Sequence, residues 1–175
     1  MKQTALDNYF STTWQSNINQ YKFSGWALVN KIKENETVLD VGCGFNEFST
    51  RIPNLVGIDP ANAMADYRLS IEGFISADKF DVAFCLGSIN FGSEENILNQ
   101  IECVIKNLKP KSRIYWRCNP GVADHNNEQC KDIDFYPWTI EKHIEFADRF
   151  GYKLVVAQWD TGNRIYAEWT AYLSI

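Results

Sequence analysis

The sequence predicts a doubly wound α/β domain with a mostly parallel sheet that closes in an antiparallel hairpin. Short apolar stretches alternate with stretches of helical periodicity, which is typical of parallel strands joined by crossovers. A glycine-rich turn directly follows the first apolar stretch. The last two stretches are separated by only four residues of turn composition, so they can pair only as a hairpin.

The strands are predicted from apolar runs that end at turn residues. The four parallel strands are 37–41 ending at Gly42, 55–58 closed by Asp59-Pro60, 80–86 ending at Gly87, and 113–118 ending at Asn119-Pro120-Gly121. The hairpin joins 152–159 to 164–173 through Asp160-Thr161-Gly162-Asn163. The pattern between 59 and 80 is weak, so any strand there is short, with 63–65 as the candidate.

Helices are predicted between these strands. One begins after the N-cap Ser93 and continues at helical spacing until Pro110 ends the run. A second helical stretch, around 25–33, precedes the first strand. Another begins at Thr139 and stops at Gly151, and the residues expected to face inward are Ile140, Ile144, Ala147 and Phe150.

The length of 175 residues predicts one domain, 1–175, with 1–34 as an N-terminal helical lid and 35–175 as the core. Asp and Glu number 22 against 17 for Lys and Arg, which gives a formal net charge of −5. This charge argues against nucleic-acid partners, which usually require a basic surface.

No apolar run is long enough to span a bilayer, and the N-terminus lacks the apolar core of a signal peptide. We therefore expect no membrane partner. The five cysteines are odd in number and form no CxxC pair, so we expect a reduced, cytoplasmic protein. No metal is expected either, because Cys118, His125 and Cys130 match no standard zinc spacing and lack a fourth ligand.

The strongest chemical signal is the run Val38-Leu39-Asp40-Val41-Gly42-Cys43-Gly44, in which a strand leads into a glycine-rich turn. Glycines allow the backbone to approach a ligand closely. Asp40 would repel a phosphate and suits a ligand with a positive group. Asp59 ends the next strand and can accept two hydrogen bonds from a ribose diol.

With these residues the sequence resembles the class I S-adenosylmethionine-dependent methyltransferases, over roughly 25–175. The resemblance implies a three-layer fold with a seven-stranded sheet whose last strand is inserted antiparallel. It implies S-adenosyl-L-methionine as cofactor, with Asp40 near the methionyl ammonium and Asp59 on the ribose hydroxyls. Gly42 and Gly44 would pack under the cofactor.

The resemblance also assigns further residues to the cofactor site. Those within or beside the two motifs are Cys43 and Pro60. Asp66, followed by Tyr67, matches the acid that the family places near the adenine amino group, although a solvated loop acid explains Asp66 equally well. Gly87, Ser88 and Asn90 would border the methionyl end and the methyl acceptor.

Three features depart from the family pattern. Asn46 replaces a third glycine, and asparagine tolerates left-handed backbone. The crossover after Val41 leaves room for a helix of only a turn or two. Pro110-Lys111-Ser112 replaces Pro-Gly-Gly and requires a different turn.

The acceptor is expected beyond the strand 113–118, where Arg117 and Asn119 suit a small polar substrate and His125 is the candidate general base. A structural ion pair explains Arg117 equally well. His143 is interpreted as structural or exposed. The aromatic residues expected to cover the site are Tyr9, Phe10, Trp14, Tyr21 and Phe23.

The sequence therefore predicts a methyltransferase that acts on a small molecule. The alternative is a non-catalytic module that binds S-adenosylmethionine or S-adenosylhomocysteine as a sensor or partner subunit. A nicotinamide dehydrogenase is disfavoured by Asp40 and the closing hairpin. The signatures of DNA methyltransferases, Asn/Asp-Pro-Pro-Tyr/Phe and the Pro-Cys nucleophile, do not occur.

Overall fold

The computed structural model describes residues 3–120 and 130–173. Its strands are β1 (Val38–Val41), β2 (Leu55–Ile58), β3 (Phe80–Leu86), β4 (Leu108–Cys118), β5 (Tyr152–Asp160) and β6 (Arg164–Ala171). Its α-helices are α1 (Gln3–Thr12), α2 (Glu94–Lys106) and α3 (Ile140–Arg149). Short 3-10 helices cover Ile18–Gln20, Trp26–Lys31, Glu47–Thr50 and Ile71–Gly73.

The strands form one sheet in the order β2-β1-β3-β4-β6-β5. β1 to β4 are parallel, whereas β6 is antiparallel to both β4 and β5. This confirms the mostly parallel sheet with its antiparallel hairpin. The predicted strands 55–58 and 80–86 match β2 and β3 at both ends.

The sheet has apolar side chains on both faces because alternate residues of each strand point to opposite sides. Ala83 and Trp116 face the layer that contains α2 and α3. Phe84 and Tyr115 face the other layer, which the N-terminal segment and Glu47–Thr50 supply. The three-layer architecture is thus present, with 3-10 helices in place of longer helices on one side.

The expected seventh strand is not present among the described residues, and 63–65 is a turn. Only one residue pairs beyond β2, through a parallel bridge from Ile58 to Tyr67. The reason is local: the Asp59 carboxylate accepts hydrogen bonds from the backbone of Ala61 and Asn62 at 2.8 and 3.0 Å, which turns the chain away from the sheet. β2 is therefore an edge strand.

Two expectations about α2 and α3 are wrong in detail. α2 ends at Lys106, and Pro110 lies in β4, in a bulge of four residues between the pairs Phe80–Leu108 and Val82–Arg113. In α3, Ile144 is 54% exposed, whereas His143 and Phe146 are fully buried. Ile140 is also at the surface, whereas Ala147 is buried and Phe150 packs against the core as expected, so the buried face is shifted toward His143 and Phe146.

The short crossover after β1 contains a single 3-10 turn, Glu47–Thr50, as the spacing predicts. The helical stretch around 25–33 is likewise a 3-10 helix, Trp26–Lys31. No helix in residues 3–120 and 130–173 has the length and apolarity needed to cross a membrane.

Candidate active site

A cavity of about 890 Å³ opens at the carboxyl ends of the parallel strands. Its wall contains residues that follow each of the four strands, in agreement with the general position of ligand sites in open α/β sheets. These residues are Gly42 and Gly44 after β1, Asp59, Pro60 and Ala61 after β2, Gly87, Ser88 and Asn90 after β3, and Arg117 and Asn119 at the end of β4.

The turn after β1 has the conformation that its glycines permit. Gly42 and Gly44 have φ angles of +69° and +56°, and Asn46 is also left-handed at +57°. The turn is held against β2 because the backbone nitrogens of Gly42 and Cys43 both donate to the Ile58 carbonyl, at 2.8 and 3.0 Å. A Cβ on Gly42 would collide with the Cβ of Ser88, so this position requires glycine.

Asp59 joins the two motifs of the site. Its carboxylate accepts a hydrogen bond from the Gly44 backbone nitrogen at 3.0 Å, in addition to the bonds from Ala61 and Asn62. The side chain is buried but still lines the cavity, together with the exposed Pro60. Asp59 therefore both stabilises the glycine turn and contributes to the cavity wall.

Asp40 lies behind this part of the cavity wall. It is only 3% exposed and is not among the residues that line the cavity. Burial, with a smaller contribution from the negative charge of Asp59, raises the pKa of Asp40 to about 7. Cys43 also points away from the cavity, and burial raises the pKa of its thiol, with further contributions from Asp40 and Asp59.

Asp66 and Tyr67 do not reach the main cavity. The Asp66 carboxylate instead accepts hydrogen bonds from the Gly57 backbone nitrogen at 2.8 Å and from the Asn46 side chain at 3.3 Å. Tyr67 lines a separate, smaller cavity beside β2. The end of the main cavity is formed by the next residues of the chain together with α2, namely Leu69, Ser70, Ile71, Glu72 and Gln100.

Ser88 follows Gly87, whose φ of +95° turns the chain at the end of β3. The Ser88 hydroxyl oxygen is buried and has no hydrogen-bond partner in the described part of the chain. Buried polar groups without partners are rare in folded proteins. Ser88 also lines the cavity, so an unsatisfied hydroxyl lies at the cavity wall.

Arg117 lines the cavity but is held in a network of contacts. Its Nη1 lies 3.1 Å from the Asp160 carboxylate, its Nη2 donates to the Thr161 carbonyl at 2.8 Å, and its guanidinium stacks on the Tyr21 ring at 3.8 Å. The Asn119 backbone nitrogen donates to the Asn90 side chain at 3.1 Å. His125, the candidate base, lies outside the described residues.

Asp160, expected only as part of a hairpin turn, anchors the N-terminal segment beside the site. Its carboxylate accepts hydrogen bonds from the backbone nitrogens of Lys22, Phe23 and Ser24, at 3.0 to 3.1 Å, and from the Ser24 hydroxyl. The N-terminal segment is thereby fastened to the sheet edge. No local signal could reveal this, because the partners are more than 130 residues apart.

The N-terminal segment covers the cavity with aromatic side chains. Tyr9, Phe10, Trp14 and Tyr21 line its wall. Trp14 stacks on Phe45 at 5.4 Å, and its ring lies where a Cβ on Gly44 would come within 2.7 Å. Phe23 is different, because it stacks on Tyr166 in the core at 5.7 Å.

His143 is structural. It is fully buried, its Nδ1 accepts a hydrogen bond from Trp169 Nε1 at 3.2 Å, and it stacks on Trp138 at 4.5 Å. Residues 3–120 and 130–173 contain no group of His, Cys, Asp and Glu side chains that could hold a metal ion.

No protein-family model and no curated protein sequence matches the chain. Several solved structures share its fold. The 1,6-didemethyltoxoflavin-N1-methyltransferase of Burkholderia thailandensis, with bound 1,6-didemethyltoxoflavin and S-adenosylhomocysteine, has a TM-score of 0.75 and 11% identity. The alignment covers 98% of this chain and 89% of that chain.

Two further structures support the same comparison. The magnesium protoporphyrin IX methyltransferase of Synechocystis PCC 6803, with bound S-adenosylhomocysteine, has a TM-score of 0.68 and 12% identity over 98% of this chain and 100% of that chain. The N-methyltransferase NodS of Bradyrhizobium japonicum WM9 has a TM-score of 0.59 and 14% identity over 79% of each chain. The chain thus has the class I methyltransferase fold.

Proposed function

We propose that the protein is an S-adenosylmethionine-dependent methyltransferase that acts on a small molecule. The observation that carries the proposal is the position of Asp59 beside the glycine turn. A ribose-binding carboxylate and a close-approach turn stand at the carboxyl ends of adjacent parallel strands and open into one cavity. The fold supports the proposal because similar structures were solved with S-adenosylhomocysteine bound.

The residues around the cavity fit this cofactor. Gly42 and Gly44 form a left-handed turn at the cavity wall, and the buried Ser88 hydroxyl beside Gly42 is an unsatisfied polar group. We assign Asp59 to the ribose hydroxyls. Asp40, one layer behind, provides the negative charge for the methionyl ammonium.

Other residues of the site have supporting roles in the proposal. Cys43, Pro60 and Gly87 shape the backbone around the cofactor. Asp66 and Tyr67 act indirectly, since Asp66 holds the Gly57 nitrogen and Asn46 behind the glycine turn. The adenine end of the site is then formed by the segment from Leu69 to Glu72 and by α2.

S-adenosylmethionine, when bound, supplies a methyl group activated by a positively charged sulfur. The chain itself supplies alignment and a dry site. The aromatic residues of the N-terminal segment limit the access of water to the cavity, and the Arg117–Asp160 pair holds that segment in place. Arg117 is therefore a positioning residue, whereas Asn119 and His125 remain the candidates for contact with the acceptor.

One observation favours the alternative, a non-catalytic module that binds S-adenosylmethionine or S-adenosylhomocysteine. The Trp14 ring packs directly on Gly44, so the segment that carries it must adjust when a ligand contacts the turn. A sensor would use such a movement to signal occupancy. The two functions differ in whether a methyl group is transferred.

Calorimetry with S-adenosylmethionine tests the proposal. Hydrogen bonds to charged groups contribute roughly 1.5–3 kcal/mol, so Asp59→Ala should weaken binding about tenfold or more. The exposed Asp78→Ala is the matched control and should bind like wild type. An unchanged affinity of Asp59→Ala, or no binding by wild type, would contradict the proposal.

Incubation of the protein with cell extract and methyl-labelled cofactor separates enzyme from sensor. Mass spectrometry should find a labelled small molecule if the protein is a methyltransferase. Tight cofactor binding without any labelled product would favour the non-catalytic module.

A further inference from the structure

One part of the cavity wall is aromatic. Tyr9 and Phe10 of α1 meet Phe91, which follows β3, and Phe135, which precedes α3. The rings contact one another in series: Phe10 lies 5.6 Å from Phe91, and Phe91 lies 5.4 Å from Phe135. The first pair is edge-to-face and the second is tilted. Rings in these arrangements can make the same kinds of contact with an aromatic ligand.

This wall is firmly supported from behind. Leu6, Cys130 and Ile133 are buried and pack against the same rings. The aromatic side chains are themselves only half-buried, because they line the cavity. A packed aromatic surface of this kind favours a flat ligand that can stack on it.

Asn90 supplies a directed hydrogen-bond donor beside this wall. Its side chain is only 3% exposed, and its Oδ1 accepts the Asn119 backbone N–H at 3.1 Å. Because a backbone N–H can only donate, this bond fixes which end of the amide is oxygen. The Nδ2 group then points the other way.

The Nδ2 group of Asn90 has no hydrogen-bond partner in the part of the chain that the structure describes. Asn90 lines the cavity, and its Nδ2 would lie 4.0 Å from a Cβ on Gly87, at the end of β3. A nearly buried NH₂ group that faces a cavity is a binding group for a ligand atom with a lone pair. The neighbouring Arg117 guanidinium is neutralised by Asp160 and does not call for an anionic ligand.

We infer that the methyl acceptor is a planar aromatic ring compound whose carbonyl oxygen or ring nitrogen accepts a hydrogen bond from Asn90 Nδ2 while its ring packs on Phe10 and Phe91. This inference rests on the proposed methyltransferase function and names its substrate class. Asn90 fixes the rotation of the ring, so that the atom to be methylated faces the end of β3. It is a specificity-determining residue.

Two probes test the aromatic wall. 2-Quinolone carries an aromatic ring and a lactam carbonyl, and octahydro-2-quinolone carries the same lactam on saturated rings. Both are titrated into the protein saturated with S-adenosylhomocysteine, and binding is followed by ligand-observed NMR. We expect 2-quinolone to bind at least tenfold more tightly. Equal affinities, or no binding of 2-quinolone, would overturn the inference.

A substitution tests Asn90 itself. Asn90→Asp keeps the acceptor for the Asn119 N–H, so the local fold holds, but replaces the NH₂ donor with an acceptor. It should weaken 2-quinolone binding at least tenfold and strengthen the binding of 2-aminoquinoline, which donates hydrogen bonds. The exposed Asn30→Asp is the matched control and should change neither affinity. Asn90→Asp with the wild-type preference would refute the role of Asn90.

The affinity for S-adenosylhomocysteine is measured separately in each variant and should stay within threefold of wild type. If wild type does not bind S-adenosylhomocysteine, the proposed function fails. The probe titrations are then repeated without it, and they still decide whether the cavity selects aromatic carbonyl compounds through Asn90.

Discussion

Asp40, which we propose to bind the methionyl ammonium, lowers the stability of the folded protein at neutral pH. Its pKa rises to about 7 because the side chain is buried in β1 and Asp59 carries a like charge nearby. The pKa in the folded protein therefore exceeds that of an unfolded chain, where an aspartate titrates at 3.8. Between these values the folded state binds more protons, so the stability from this group falls as pH rises.

We predict that Asp40→Asn stabilises the ligand-free protein at pH 8. The neutral amide avoids the burial of a charge, and the free energy of unfolding should rise by roughly 2 kcal/mol, which corresponds to about 4–8 °C in Tm. Cofactor affinity should fall about tenfold or more, because the charge opposite the ammonium is lost. Thermal melts and calorimetry measure the two effects.

The matched control is Asp81→Asn. Unlike Asp40, Asp81 is only partly buried. Burial raises its pKa, but hydrogen bonds from the Thr37 backbone and from Lys109 lower the pKa overall. Its substitution should therefore destabilise the protein at pH 8. If Asp40→Asn melts below wild type, the side chain is stabilising as a carboxylate and the interpretation of its pKa is wrong.

At the scale of elements, the fastening of the N-terminal segment depends on β4 and the β5–β6 turn. Asp160, at the end of β5, holds the backbone of residues 22–24, and Arg117 of β4 neutralises it. Breaking a buried ion pair leaves an uncompensated charge, which costs about 3–5 kcal/mol. The attachment of residues 22–24 to the sheet thus depends on this buried pair.

We predict that Arg117→Ala lowers the free energy of unfolding by roughly 3 kcal/mol, measured by urea denaturation. Arg113→Ala, on the same strand, removes a more exposed pair with Glu36 and should cost about 1 kcal/mol. An Arg117→Ala protein with wild-type stability and impaired turnover would instead identify Arg117 as an acceptor-binding residue.

Elements were predictable where a local pattern fixes both ends. β2 is such an apolar run, which stops at Asp59-Pro60. For α2 only the start was predictable, from the N-cap Ser93, whose side chain makes the capping hydrogen bonds. The absence of the seventh strand beyond β2 was not predictable from the fold family, because side-chain hydrogen bonds turn the chain away from the sheet there. The Asp66 carboxylate accepts a hydrogen bond from the Gly57 backbone nitrogen, and the Asp59 carboxylate accepts one from the Ala61 backbone nitrogen. Such contacts between side chain and backbone leave no pattern in the sequence.

The candidate site was likewise predictable only where its residues belong to short local motifs. Gly42, Gly44 and Asp59 belong to two short motifs, and the sheet brings their strands together. The partner of Arg117 was not predictable, because Asp160 is 43 residues away and its turn composition hides its role. The orientation of Asn90 depends in the same way on Asn119, which lies on another strand end.

At the scale of the whole molecule, the sheet order brings the carboxyl ends of four parallel strands to one edge, and the N-terminal segment covers them. The two faces of the sheet contain different titratable groups. Asp40 lies near the site, whereas His143 is buried among Trp116, Trp138 and Trp169. Burial lowers the pKa of His143 to about 3.

These two groups act on stability with opposite signs. The pKa of His143 in the folded state lies below the unfolded value of 6.5, so its stabilisation is present above pH 6.5 and is lost as pH falls. The stabilisation that Asp40 provides when protonated is lost as pH rises from about 4 to 7. The two effects overlap between about pH 4 and 6.5, where each amounts to about 1.4 kcal/mol per pH unit.

We therefore predict that the wild-type free energy of unfolding is nearly flat between pH 4.5 and 6, within about 1 kcal/mol, because the two slopes cancel. Asp40→Asn should expose the His143 effect, with stability that falls as pH is lowered. His143→Gln keeps an acceptor for Trp169 Nε1 without a titrating ring, and its stability should fall as pH is raised. Urea denaturation at half-unit pH intervals measures all three profiles. Parallel profiles for the wild type and both variants would show that neither group titrates with the shifted pKa assigned to it.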